Sequence, residues 1–247
     1  MKIERRETKE NGIIQVTTLD ERWYIDEEDT EQPDYPSNTW ICGYYYKGQQ
    51  FWKWLASKGW DEAEAIKQAA GIRGSKIHRG IEALLTGNTL AMNDSLPDND
   101  GQVTEITVEE WAGILSFADW WNSLDKPEIL ATEQVVICRE PRWAGTLDLK
   151  LRIGEDVWII DFKTGQNIWP EYELQVSAYR HAEKMEDVTK MGILQIGYSK
   201  NRRGWKLTEV EDKYDLFLAT YAIWYAENKD VHPKQKDYPA SIALKLK

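Results

Sequence analysis

The chain has little cysteine: Cys42 and Cys138 are the only two thiols among 247 residues. Two thiols exclude a four-cysteine cluster or a zinc ribbon. One disulfide would add little to so long a chain, so reduced, intracellular thiols are expected. No run of about 18 apolar residues occurs, and no membrane span is expected. The opening MKIERRETKENG is charged and lacks the apolar centre of a secretory signal. A phosphate-binding GxxxxGKS or GxxxxGKT loop is absent as well, which leaves no nucleotide-driven motor in this sequence. Positive charge is also short. Lys and Arg number 31 against 42 Asp and Glu, for a net charge of −11. That argues against broad, nonspecific attraction to nucleic acid but leaves room for a locally basic groove. Part of the acid excess sits in DEEDTEQPDY and MNDSLPDNDGQ, which read as solvated segments.

What is present is enough for a core. The hydrophobic fraction is 42%, with 13 tryptophans, and the length suits one domain spanning 1–247. Residues 1 to about 35 hold strand-like pieces (GIIQVTTL, RWYI) and an acidic loop, and are expected to be peripheral. From about 36 to 125 the pattern is helical. A helix start is expected at Pro36–Ser37, before a stretch so rich in aromatics that most of them should be core. Ala63, Ile66, Ala69 and Ala70 recur at helical spacing, Gly71 and Gly74 interrupt, and Ile77, Ile81, Leu84 and Leu85 resume the stripe. Gly87 to Gly101 reads as a loop, and Thr107 with Glu110 as a capping box opening a second helix. From about 126 to 247 the period shifts. ILATEQVVICRE, WAGTLDLKLRI and DVWIIDFKT read as strands, WPEYELQVSAYRHAEKM as a helix with Pro170 in its first turn, MGILQIGYSK and GWKLTEVE as strands, and KYDLFLATYAIWYAENK as a closing helix. The order implies an α/β or α+β sheet wrapped by helices, without internal repeats.

Two of those strands carry acids, Asp148 and Asp161, with Lys163 two places beyond and so on the same strand face. Both acids are expected at strand ends on one hairpin. Close carboxylates repel, and burying them is costly unless something positive lies between them. A hard divalent cation meets that need with oxygen ligands. Lys163 cannot ligate a cation, but it can position or deprotonate a water, or stabilise charge on a phosphate. These are the parts of metal-assisted phosphodiester hydrolysis. By spacing alone, a solvated Asp161–Lys163 pair on a surface hairpin explains them equally well.

GTLDL, then IIDFKTG, then ELQVSAY, following YPSNTW, FWKWLASKG, EAIKQAAGIRGSKIHRGIEALLTGN and EILATEQVV in order, resembles the motif series of the PD-(D/E)XK nuclease superfamily. The nearest branch is the RecB-type and phage exonucleases, and the likeness runs from about Tyr35 to about Ala182. It implies a restriction-endonuclease-like mixed central sheet flanked by helices, with a helical N-terminal elaboration. It implies a Mg2+- or Mn2+-dependent exonuclease acting on single-stranded DNA or DNA ends in the cytoplasm of a bacterial or phage-infected cell, with a recombination or replication protein as a possible partner. Asp148 and Asp161 would be the metal-binding acids, the Phe162 carbonyl a further ligand, and Lys163 the catalytic lysine. His78 matches a helix-borne metal ligand, while His181 and His232 match nothing. Gln175 and Tyr179, four apart and on one helical face, match residues that orient the site or hold a DNA phosphate. Glu82, one turn beyond His78, is either an acid close to the metal or a surface carboxylate. Glu133, in a TE that recurs in the family, either approaches the metal acids or closes a salt bridge. Lys200, Arg202 and Arg203 surround a tight turn of a kind that is usually inert; in so acidic a chain they are the best local candidates for a backbone contact. While most of the aromatics from Trp40 to Trp60 are expected in the core, one or two would line the DNA path and stack unpaired bases. An endonuclease or flap nuclease on the same core, and an inactive DNA-binding recombination partner, are the alternatives. CRISPR-adaptation nucleases share the core motifs but usually add four cysteines, which this chain lacks.

Overall fold

The structure, a computed structural model, describes residues 5–8, 12–17, 21–98, 101–233 and 243–244. Residues 18–19 of the first strand-like piece and 99–100 of the expected loop lie outside it. The chain is mixed α/β, and a five-stranded sheet organises it. Strands β7 (Glu128–Cys138), β8 (Trp143–Ile153), β9 (Asp156–Lys163), β10 (Lys190–Ile196) and β11 (Trp205–Glu209) lie in the order β11-β10-β9-β8-β7. β9 and β10 are parallel and every other pairing is antiparallel, so the sheet is mixed. The parallel pair needs a crossover, supplied by α5 (Pro170–Arg180), with Pro170 in its first turn.

Helices cover both faces of the sheet. Val157 and Ile159 of β9 and Met191 and Ile193 of β10 pack in one core with α5, α1 (Asn38–Cys42) and α6 (Tyr214–Asn228). Ile160, Phe162, Leu194 and Ile196 pack in a second core with α3 (Trp60–Leu85) and α4 (Val108–Asn122). The expected capping box forms, with Thr107 and Glu110 closing the N-terminus of α4.

One expectation is borne out and three need correction. The helix expected across Gly71 and Gly74 forms, since α3 runs 26 residues through both. Each glycine costs roughly 1 kcal/mol in a helix interior, and the seam made by Ile77 and Ile81 against Ile114 and Phe117 offsets that. A Cβ on Gly80 would meet Ile114 at 2.5 Å, and one on Gly113 would meet Ile77 at 2.7 Å, so these glycines set how closely α3 and α4 approach. The N-terminal segment is not peripheral. β1 (Arg5–Thr8), β2 (Ile14–Thr17), β3 (Arg22–Ile25) and β4 (Asp34–Pro36) form an antiparallel sheet. Tyr24 and Tyr35 are buried from it against Val135 and Ala144 of the β7–β8 hairpin. The stretch from Gly87 to Gly101 is not all loop, because β5 (Ser95–Pro97) pairs with β6 (Val103–Glu105). Nor are most aromatics between Trp40 and Trp60 core, because α2 (Gln49–Lys58) buries none of its residues.

Candidate metal centre and cleft

Asp161 lies near the C-terminal end of β9, as expected, but Asp148 does not sit at a strand end. Asp148 is in the middle of β8, at a place where that strand is irregular. Strict alternation would give Leu147, Leu149 and Leu151 a common face. Instead Leu147 packs in the first core and the other two in the second. On the neighbouring strand Glu133 has φ 49°, a left-handed conformation unusual for a side-chain-bearing residue in a strand. Its neighbours still pair, Thr132 with Leu149 and Gln134 with Leu147. The β8–β9 ladder reaches only as far as Leu149 opposite Ile160. Just beyond it the Phe162 N–H donates to Asp148 Oδ2 at 2.6 Å. A local departure from ideal pairing thus turns two carboxylates, from β7 and β8, toward one place.

His78 reaches that place from α3. Its Nδ1 lies 3.4 Å from Asp148 Oδ1, and its Nε2 lies 3.2 Å from the Phe162 carbonyl oxygen. One ligand atom each from His78, Glu133 and Asp148 lie within 4.8 Å of one another. Asp161 is buried beside them, with Lys163 Nζ 2.7 Å from its Oδ2. Apart from Lys163, Oδ2 has no partner among the described residues. Lys163 also donates to Gln175 Oε1 at 3.2 Å, Gln175 Nε2 to Tyr179 Oη at 2.9 Å, and Tyr179 Oη to the Thr146 carbonyl at 3.0 Å. Lys163 Nζ also stands 4.7 Å above the Tyr172 ring. A Cβ on Gly145 would meet the Tyr179 ring at 2.6 Å, so this glycine is what lets Tyr179 lie across β8.

The electrostatics are those of an over-acidic site. Burial pushes the Asp161 carboxyl up, Lys163 pulls it down and Asp148 pushes it up again, leaving it at about 6. Burial and the Asp148 charge raise Glu133 to about 7. For His78 burial works downward, but the charge and hydrogen bond of Asp148 and the charge of Glu133 outweigh it, raising the imidazolium to about 9. Asp148 is lowered overall: burial opposes ionisation, and His78, Lys163 and the Phe162 N–H overcome it. Burial likewise works against the Lys163 ammonium, yet Asp161 and Asp148 raise it above its ordinary value. Lys163 is therefore a cation here, suited to stabilising charge rather than to removing a proton.

This donor set fits a hard divalent cation. Two carboxylates and an imidazole converge, Asp161 Oδ2 has no partner besides Lys163, and burial beside Asp148 makes two of the three acids resist ionisation.

His78, Glu133, Asp148, Asp161, Lys163, Gln175 and Tyr179 all line one cleft of about 520 Å3. Phe162 contributes its carbonyl, while its ring belongs to the second core. The other candidates are elsewhere. Glu82 pairs with Arg79 at 3.0 Å and does not line the cleft. Lys200, Arg202 and Arg203 lie on the β10–β11 turn outside it, with Lys200 tied to Gln166 and Asn167. The sequence reading missed the opposite wall, where Gln15, Thr17, Arg22 and Tyr24 of the N-terminal sheet face the cleft together with Lys47 and Glu171. Alternation in IIQV and RWYI marks strands, but nothing local marks where that sheet docks. Among the described residues no helix is long and apolar enough to cross a membrane. Compared with known proteins, the chain matches no family model and no curated relative.

Proposed function

We propose that the chain is a Mg2+- or Mn2+-dependent deoxyribonuclease of the PD-(D/E)XK kind, built on a restriction-endonuclease-like core and hydrolysing phosphodiester bonds at strand ends. The observation that carries this reading is the convergence of His78, Glu133 and Asp148, from a helix and two strands, beside a buried Asp161–Lys163 pair. His78, Glu133, Asp148 and Asp161, with the Phe162 carbonyl, would hold the cation. When bound, that ion would supply a Lewis acid for the scissile phosphate and lower the pKa of a water. Lys163 sets a fixed positive charge where negative charge grows on the phosphate. Gln175 and Tyr179 hold the ammonium in register through the chain of bonds that ends on Thr146. Residues of β2, β3 and α1 line the same cleft, and a wall on that side would favour entry of a strand end over an internal site.

The test is cleavage of end-labelled DNA with magnesium by the wild-type chain, Asp161→Ala and Lys163→Ala. Loss of cleavage in both is expected, and full activity in both would remove the assignment. Circular single-stranded DNA separates the exonuclease, which leaves it intact, from an endonuclease on the same core.

A further inference from the structure

Between Asp34 and Asp61 the chain has no acidic residue and three lysines, Lys47, Lys53 and Lys58, although its net charge is −11. This acid-free stretch contains α2, none of whose residues is buried. Tyr46, Trp52, Trp54 and Trp60 are exposed by 70%, 53%, 36% and 72%. So many large aromatics left in water within one short stretch mark a contact surface. The rings are braced. Phe51 lies edge-on to Trp52 at 5.3 Å and tilted against Trp54 at 6.0 Å. At about 100° per residue, Lys53 stands roughly a quarter-turn from each of the two tryptophans on the same exposed helix, and it makes no ion pair among the described residues.

The patch adjoins the cleft. Trp52 Nε1 donates to the Lys47 carbonyl at 2.9 Å. The Lys47 side chain lines the cleft and pairs with Glu171 there. We propose that α2 is a platform for single-stranded DNA, with unpaired bases stacking on Trp52 and Trp54, the phosphates meeting Lys53, and the strand running past Lys47 into the cleft. Exposed flat rings fit the faces of unpaired bases, which a duplex keeps stacked inside. Lys47 and Lys58 are paired with Glu171 and Glu62, and Lys53, without an ion pair among the described residues, is the charge that fits a polyanion. A second copy of the chain would offer it no acid from this stretch. The continuation into the cleft rests on the nuclease reading. Binding on α2 needs neither metal nor chemistry.

The experiment is fluorescence anisotropy of a labelled oligothymidylate with the full chain in EDTA, over a salt series. Trp52→Ala is expected to weaken binding about 5- to 100-fold, with Trp52→Phe recovering most of it. Lys53→Ala should flatten the log–log salt dependence by about 0.7. Asp161→Asn should bind like the wild type while cleaving nothing, which separates the platform from the active site. A wild type that binds through Trp52 but never cleaves would sink the nuclease reading and leave the platform standing. Because α2 buries nothing, the variants should keep the wild-type melting temperature. Unchanged binding in both Trp52→Ala and Trp54→Ala would overturn the platform. So would variants that alter only the sedimentation of the chain, because the patch would then be a contact between copies.

Discussion

Two close lysine–carboxylate pairs among the described residues behave differently, one fully buried and one with its lysine half-buried at the cleft. Lys76 Nζ meets Glu110 Oε2 at 2.6 Å in the α3–α4 seam, and Lys163 Nζ meets Asp161 Oδ2 at 2.7 Å in the cleft. The first pair is closed. Lys76 also donates to the Glu105 carbonyl at 2.7 Å, and Glu110 also accepts from the Thr107 N–H at 2.8 Å. Burial opposes ionisation of Glu110, but Lys76 and Thr107 overcome it and hold the carboxyl below its ordinary value. The second pair is open. Asp161 is raised to about 6, and its paired oxygen has no partner besides Lys163. Similar distances hide opposite balances: one acid is held ionised by its donors, and the other is kept from ionising by burial and by Asp148. That resistance to ionisation, more than the salt bridge itself, is what marks the cleft as a candidate site for chemistry.

The comparison can be broken at its most sensitive point first. Lys163→Ala should lower the rate of DNA cleavage by about 100- to 1,000-fold in a single-turnover assay on folded protein, and without metal it should also lower stability, because Asp161 then stays buried without its counter-charge. Glu110→Gln should leave Lys76 buried without its counter-charge and cost about 3–5 kcal/mol in urea unfolding. Asp161→Asn, measured without metal, should have the opposite sign and stabilise the fold by about 1 kcal/mol, because it removes a charge its surroundings resist. Equal signs for these two variants would show that the pairs are alike after all.

The pH dependence sharpens the same contrast. Glu110 has a folded pKa below its unfolded value, so its contribution is complete above the ordinary glutamate value and lost as pH falls through the folded one. The melting-temperature gap between wild type and Glu110→Gln should hold steady above about pH 5 and close in more acidic buffer. Gly145→Ala crowds the Tyr179 ring and should cost about 1–3 kcal/mol while disturbing the Gln175–Lys163 hydrogen bond, so cleavage should fall along with stability. The smallest effect is expected at the β10–β11 turn. Arg202→Ala and Arg203→Ala, outside the cleft, should change cleavage less than about twofold, since isolated surface charges contribute little.

Much of the sheet could be read from the chain, because β8, β9 and β10 are runs of β-branched and aliphatic residues between clear turns. The capping box at Thr107 and Glu110 was equally plain. The approach of His78 to Asp148 depends on how α3 packs on the sheet, which Gly80 and Gly113 set through contacts with α4. No spacing rule reports that distance. It entered the sequence reading only through the resemblance. The role of Glu133 was undecidable for a related reason, since its left-handed backbone turns a strand residue out of the alternation that periodicity assumes. The N-terminal sheet was misjudged because its burying residues, Tyr24 and Tyr35, pack against a hairpin more than a hundred residues away in sequence. The aromatics of α2 misled in the other direction. Composition says tryptophan is buried, and here it is presented to solvent.

The most direct measurement is anomalous X-ray diffraction from crystals soaked in manganese. An ion among His78, Glu133 and Asp148, lost in crystals of Asp148→Asn, is expected. A fully soaked crystal with no anomalous peak in the cleft, and the imidazole still lying against the Asp148 carboxylate, would contradict it.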